Sequence, residues 1–423
     1  MIDYSLIEVT ENGDRYYIYK DNYNNKKVYL NSNFSPEKEA TKFIQKIESD
    51  KFNIIIGVGN GSIIEQLVKR KFVHCLIIEP FNEVNLSEKH LNVIKNADNI
   101  TFYHYKDITP LKLTVFIKNQ IGINTNILIH PRYDKVNKKI IGNILDCIYK
   151  GLNLLQMNKN TEQYFKKAWI MEPLLNLRYT VNLPSVNRLR NYFEGETAIL
   201  VASGPSLHDC IPFLQSMKNF GFIFAAGSAV NGLLSKDVIP DFVTVIDSSP
   251  QNYTAHFKDT SYDGILIVSG SVNSNILRKF QRNAILADLS IDPLTKRFRS
   301  DVTTFPSVPS VSVFTLQLIY YMGFSKVYLV GQDLALRDGE YYANGVNVHQ
   351  GTNHFNTQLF VESNNGSKVG TIYSLYSHLQ SFNEVIQLLD KKKISIYNLS
   401  KNGAKINGVE YIPVEKITLP KKR

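Results

Sequence analysis

Short apolar runs alternate with helical stretches along this chain, and in its C-terminal half several of those runs end on a small or polar tip. Thr197-Ala198-Ile199-Leu200-Val201-Ala202 passes into Ser203-Gly204-Pro205-Ser206-Leu207 and then a helix from about Asp209 to Lys218. Phe222 to Ala226 ends on Gly227-Ser228, Phe242 to Ile246 on Asp247-Ser248-Ser249, and Val327 to Val330 on Gly331-Gln332-Asp333-Leu334. Uninterrupted apolar runs are the pattern of strands buried on both faces, and their alternation with helices predicts an α/β fold with parallel sheets. Ligands of open parallel sheets bind beyond the carboxyl ends of the strands. The four tips therefore predict one cleft. Ile265 to Val268 and Ile394 to Asn398 read as further strands, the latter closing the sheet, and Val311 to Met322 and Thr371 to Leu389 read as helices.

The N-terminal half carries a second unit of this kind. A hairpin around Asn22 to Asn25 precedes the strand Asn53 to Ile56, a glycine-rich turn at Gly57, Gly59 and Gly61, a helix from Ile63 to Arg70, and a strand from Cys75 that ends in Glu79. Asn126 to Ile129 reads as a further strand. The layout is that of a dinucleotide or S-adenosylmethionine site, in which the acid takes the ribose hydroxyls. It suits better a turn kept for tight strand–helix packing with no ligand. Between these halves the pattern is helical and polar. We expect an N-terminal Rossmann-like domain over 1–145, a helical connector over 146–195 and a catalytic domain over 196–423.

Composition narrows the function classes. The cysteines Cys75, Cys147 and Cys210 have no CxxC spacing and cannot all pair; no disulfide framework or zinc ribbon is expected, and a reducing compartment fits. The N-terminus lacks a signal-peptide pattern, and no apolar run reaches the ~18 residues of a membrane helix. A soluble, cytoplasmic protein, not transmembrane, is the expectation. The formal net charge of +10 suits an anionic ligand or a membrane surface, but better reflects the Lys-, Asn-, Ile- and Tyr-rich composition that an AT-rich genome produces. The basic residues are scattered and no nucleic-acid-binding motif is present, so no nucleic-acid partner is expected.

Within the predicted cleft, Gly204 permits a sharp turn, Pro205 fixes φ and Ser206 suits a helix cap, so the turn's amides favour a phosphate. Asp241 precedes its strand and reads as a structural cap. Asp247 ends the strand and suits a ribose, a metal or an acceptor. A long irregular loop from Arg337 to Gly370 carries Tyr341, Tyr342, His349 and His354 and reads as a lid or binding segment. The two histidines do not form an HExxH pattern, so no metal site is assigned; each is a general base or a surface histidine.

The blocks ILVASGPSL, FAAGSAV, IPDFVTVIDSSP, KVYLVGQDLAL, YYANG and YNLSKNGAKING, between about Glu196 and Asn407, resemble the motility-associated factor (Maf) glycosyltransferases. That resemblance implies an enzyme that moves a nonulosonic acid (pseudaminic, legionaminic or sialic-type) from a CMP-activated donor to Ser or Thr of flagellin or another protein acceptor. More distantly, the GPSL and SKVYLVGQDLALRDGEYYANG blocks look like those of GT-A-like bacterial sialyltransferases. The likeness implies that Ser203, Gly204, Pro205 and Ser206 hold the nucleotide. Gly227, Ser228, Asp247, Ser312 and Gln332 would line the same cleft, and Tyr342 would meet the phosphate. Ser203 stands where the resemblance has Asn. No histidine stands between Gly366 and Thr371, where the sialyltransferase base falls, so that role passes to Asp333 or His354. The same domain family includes 6-hydroxymethylpterin pyrophosphokinases (MptE-like), which use ATP and a divalent metal. A non-enzymatic nucleotide-binding flagellar accessory protein is a further reading. The CMP-sugar is a co-substrate; no cofactor is assigned, and a divalent metal stays open.

Overall fold

The computed structural model describes residues 4–11, 14–70, 73–118, 124–217, 220–292, 294–343, 346 and 353–417. The chain divides into two compact units, Met1–Lys159 and Asn160–Arg423. The division falls within one helix, Lys138–Thr180, which occupies much of the expected connector.

In the first unit, β1 (Tyr4–Glu11), β2 (Asp14–Asp21) and β3 (Lys27–Tyr29) form an antiparallel sheet. Four parallel strands come next: β4 (Phe52–Ile56), β5 (Cys75–Glu79), β6 (Ile100–His104) and β7 (Thr125–Ile129), in the order β6-β5-β4-β7. Every residue of β4 and β5 is buried, as suits strands covered on both faces, including the polar Asn53 and Glu79. Tyr17 and Tyr19 of the small sheet, and Leu30 just after it, join the same core.

The second unit is built on eight parallel strands. They are β8 (Thr197–Val201), β9 (Phe222–Ala226), β10 (Phe242–Val245), β11 (Ile265–Val268), β12 (Ala284–Leu286), then, after the short pair β13 (Asp288–Leu289) and β14 (Thr304–Phe305), β15 (Lys326–Val330). A hairpin, β16 (Leu359–Glu362) and β17 (Lys368–Thr371), interrupts the loop that the sequence leaves irregular. β18 (Ser395–Asn398) and β19 (Glu410–Tyr411) complete the main sheet, so Ile394 to Asn398 is not its last strand.

The main sheet has the order β12-β11-β10-β9-β8-β15-β18-β19. Strand succession runs outward from β8 in one direction and from β15 in the other. The topological switch, and with it the crevice where such sheets bind ligands, lies between β8 and β15.

The amino-terminal ends of these strands are closed by aromatic side chains. Phe193 stacks on Phe324 at 4.8 Å and Phe224 on Phe242 at 4.6 Å, with Phe222 edge-on to Phe193. Burying one such ring contributes roughly 1.5–3 kcal/mol. This end is a packed seal, which leaves the carboxyl ends free to carry polar chemistry. Among the described residues, no helix is long and apolar enough to cross a membrane.

Candidate active site

At the switch point the ends of β8 and β15 are stitched together. Ala202 N donates to the Val330 carbonyl at 2.8 Å and Gly204 N to the Gly331 carbonyl at 2.9 Å. A Cβ on Gly204 would collide with the Asp333 carboxylate and the Gly331 carbonyl, and one on Gly331, at φ +64, with the Ala202 carbonyl. Only glycine permits these approaches.

Asp333 fixes the next turn. Its Oδ2 accepts the Ser206 amide at 2.9 Å and the Ser206 hydroxyl at 2.8 Å, while Oδ1 accepts the Ser400 hydroxyl at 2.6 Å. Burial raises the Asp333 pKa, and the hydrogen bonds from Ser400 and Ser206 oppose that rise. Leu334, next along, sits at φ +52, a costly conformation for a branched side chain and one held only where the surroundings dictate it.

These strand ends enclose a cavity of about 400 Å³. Ser203, Gly204, Gly227, Ser228, Asp247, Ser312, Gln332, Asp333 and Tyr342 all line it, so the four tips do converge. Ser203 and Ser228 bridge the first two through their hydroxyls, 2.8 Å apart. Asp247 Oδ1 accepts the Ser249 amide at 2.7 Å, and Asp241, as a cap, accepts the Ile223 amide. Burial, then Tyr341 and Asp247, raise the Tyr342 pKa, so its phenol stays protonated and able to donate. Ala343 N donates to the Ser203 carbonyl, tying the tyrosine segment to the first turn.

Pro205 and Ser206, expected at the nucleotide, are not among the residues that line this cavity. The reason is Asp333: it takes the Ser206 amide and hydroxyl, and Gly331 takes the Gly204 amide. These donors are therefore not offered to a phosphate. A different helix N-terminus opens on the cavity. Pro309, Ser310, Val311 and Ser312 line it, and helix Val311–Tyr321 begins without a side-chain cap. Its first-turn amides and dipole favour an anion.

His354 is exposed, its ring against Gly339, and it does not line the cavity. His349 lies outside the described residues. A histidine that sequence reasoning does not single out, His378, does line the cavity. It stands one helical turn after Ser374 on helix Tyr373–Leu388, and both face the same space.

Three buried polar atoms at this cavity have no hydrogen-bond partner among the described residues: Thr244 Oγ1, Asn252 Oδ1 and Gln332 Oε1. Buried polar groups are almost always paired, so three orphans around one space mark where a ligand supplies partners. A second cavity, about 210 Å³, shares Phe165, Asp247 and Val311 with the first and adds Trp169, whose ring stacks on Phe165 at 5.9 Å.

The glycine turn of the first unit is arranged otherwise. Glu79 is fully buried: Oε2 accepts the Val58 amide and the Tyr133 phenol, and Oε1 the Phe81 amide. The Tyr133 ring packs on Gly57, within 2.6 Å of where a Cβ would stand. The acid that would take a ribose instead holds the turn itself, which is the packing alternative.

Residues 172–339 match the family model described as 6-hydroxymethylpterin diphosphokinase MptE-like. The structure of the Maf glycosyltransferase from Magnetospirillum magneticum AMB-1 superposes with a TM-score of 0.57 at 15% identity, covering 100% of this chain and 72% of that one. The chain thus shares the fold of that glycosyltransferase, and its residues 172–339 are similar to the MptE-like family. Two uncharacterised proteins of Treponema pallidum (strain Nichols) are similar in sequence. One is 27% identical over 125 residues, 29% of this chain and 57% of the relative; the other is 23% identical over 203 residues, 45% and 68%. The alignment with the first thus spans little more than half of that relative. The MptE-like match takes in the four strand tips and ends before Tyr342 and His378.

Proposed function

We propose that the chain is a glycosyltransferase that moves a nonulosonic acid from a CMP-activated donor to a Ser or Thr hydroxyl of a protein acceptor such as flagellin. The observation that carries this reading is the polar cavity at the β8/β15 switch point, with its three orphaned buried atoms. In this reading the orphaned oxygens and Ser203, Ser228 and Asp247 hold the nucleoside. The departing phosphate sits at the start of helix Val311–Tyr321, where the Tyr342 phenol and the first-turn amides stabilise its charge. Asp333 acts as a positioning residue. Its oxygens already accept three hydrogen bonds, which makes it a poor proton acceptor for the incoming hydroxyl. The Maf-type fold and the resemblance over Glu196 to Asn407 support the substrate class.

The MptE-like match favours a second reading, ATP-dependent pyrophosphoryl transfer to a pterin. It would draw a divalent metal to Asp247 and Asp333. Asp333 is engaged by Ser206 and Ser400, and among the described residues no three His, Cys, Asp or Glu side chains stand together as a metal cluster.

Thermal unfolding with CMP, with ATP and Mg²⁺, and with S-adenosylmethionine separates these readings. A ligand at 100 times its Kd adds about 2.7 kcal/mol of stability. We expect a shift with CMP that is absent in Ser228→Trp, whose indole would occupy the cavity. A shift with ATP and Mg²⁺ alone overturns the sugar-transfer reading.

A further inference from the structure

We propose that His378 is the general base that takes the proton from the acceptor hydroxyl. This rests on the sugar-transfer reading above. His378 belongs to helix Tyr373–Leu388, which the strand-tip pattern does not point to, and it lies beyond the residues of the MptE-like match. Three observations carry the assignment.

First, it lines the cavity together with Asp247, Ser228 and Tyr342. Second, its ring lies beside the Pro309 carbonyl, which favours the protonated ring, in the segment that leads into the uncapped helix Val311–Tyr321. A ring nitrogen that donates to this carbonyl leaves the other with the lone pair of a neutral imidazole. Third, burial pushes the His378 pKa down to about 4, against a smaller opposing pull from Pro309. The ring is unprotonated throughout the neutral range. The other titratable groups lining this cavity are Asp247, His256, Asp333, Tyr341 and Tyr342. Asp333 is engaged by Ser206 and Ser400, and burial raises both phenols, to about 12 for Tyr341.

The step balances as a displacement. The acceptor oxygen forms a bond to the anomeric carbon, and the bond from that carbon to the phosphate oxygen breaks. CMP leaves with the electron pair, and the hydroxyl proton passes to the free nitrogen of His378. A base this weak accepts the proton late, as the attacking oxygen becomes positively charged at an oxocarbenium-like centre.

The test uses the full chain with flagellin and CMP-activated pseudaminic, legionaminic and sialic acids, read by the mass of the acceptor. His378→Ala should lower kcat at least a hundredfold while the thermal shift with CMP stays within twofold in apparent Kd, which also reports that the variant folds. Added imidazole should restore part of the rate in His378→Ala and none in Asp333→Asn. Transfer in His378→Ala at the wild-type rate, or a parallel loss of CMP binding, overturns the assignment while leaving the sugar-transfer reading intact. Absence of transfer by the wild-type chain with all three donors overturns both.

Discussion

Tyr133 donates its phenolic hydrogen to Glu79 Oε2 across 2.7 Å, and the same phenolic oxygen accepts the Gly59 amide at 3.1 Å. A glycine-rich turn that reads as a ligand site is thus closed by two side chains of its own unit. Burial raises the Glu79 pKa to about 8, with the hydrogen bonds from Tyr133, Val58 and Phe81 opposing. A carboxyl whose folded pKa lies above its unfolded value favours folding at low pH, and that contribution is lost as pH rises toward the folded pKa. The first unit should therefore lose stability between about pH 5 and pH 8. Glu79→Gln should flatten that slope in calorimetric scans across the range, although it lowers the melting temperature at pH 5 by placing an amide among three donors. An unchanged slope would show that another group sets it.

Thr244→Val separates ligand chemistry from stability. The Thr244 hydroxyl is fully buried without a partner among the described residues. Replacing it by a methyl of similar shape removes a desolvation cost of about 1 kcal/mol, a gain of roughly 2–4 °C for a unit of this size. The same change should weaken CMP binding about tenfold. Scanning calorimetry with and without CMP reads both effects, and they should move in opposite directions.

Asp333→Asn should behave as the loss of a support. Replacing Oδ2 by an amide leaves the Ser206 amide and hydroxyl facing a donor, at about 1–3 kcal/mol for each unsatisfied group. Urea unfolding should report a loss of roughly 3 kcal/mol, and CMP affinity should fall with it. A variant with full stability and affinity but an abolished rate would return Asp333 to the role of base.

Gly204→Ala tests the stitching of β8 to β15. The added methyl meets the Asp333 carboxylate and the Gly331 carbonyl, both held by hydrogen bonds and neither free to withdraw. Overpacking of this kind costs about 1–3 kcal/mol. The CMP-induced thermal shift should disappear.

The three cysteines give a simple check on packing. Burial pushes Cys75 and Cys210 up to about 12 and Cys147 to about 11, and none is paired. A thiolate is the reactive species. A thiol-reactive dye should label the native chain slowly and label all three sites at once when urea is added.

The strand tips are legible in the sequence because each central strand is a largely apolar run, and the chain must turn where such a run ends. Ser203, Ser228, Asp247 and Gln332 can be placed on one cleft by that rule alone. The direction of Ser206 cannot. Its partner, Asp333, is 127 residues away in sequence, and no local pattern announces that pairing. His378 escapes for a related reason. It sits on a helix whose neighbours Leu375, Tyr376 and Leu379 are buried, and sequence does not say which face of such a helix meets a cavity. The role of Glu79 stays open in the sequence because its partner, Tyr133, comes after a different strand. β19 and the β16–β17 hairpin are hidden because their strands are two and four residues long, too short for a period to register.

The bond from Ser400 to Asp333 also bears on how the molecule comes into being. The Gly204–Ser206 turn is made early, yet the carboxylate that shapes it is itself steadied by a hydroxyl 67 residues later in the chain. Synthesis proceeds at roughly 5–20 residues per second, so the turn waits on the order of ten seconds for its last anchor. The first unit can complete its core in that interval, while the crevice between β8 and β15 stays unformed on the ribosome until Ser400 has emerged. A nascent chain stalled before that point should carry a folded first unit and no affinity for nucleotide.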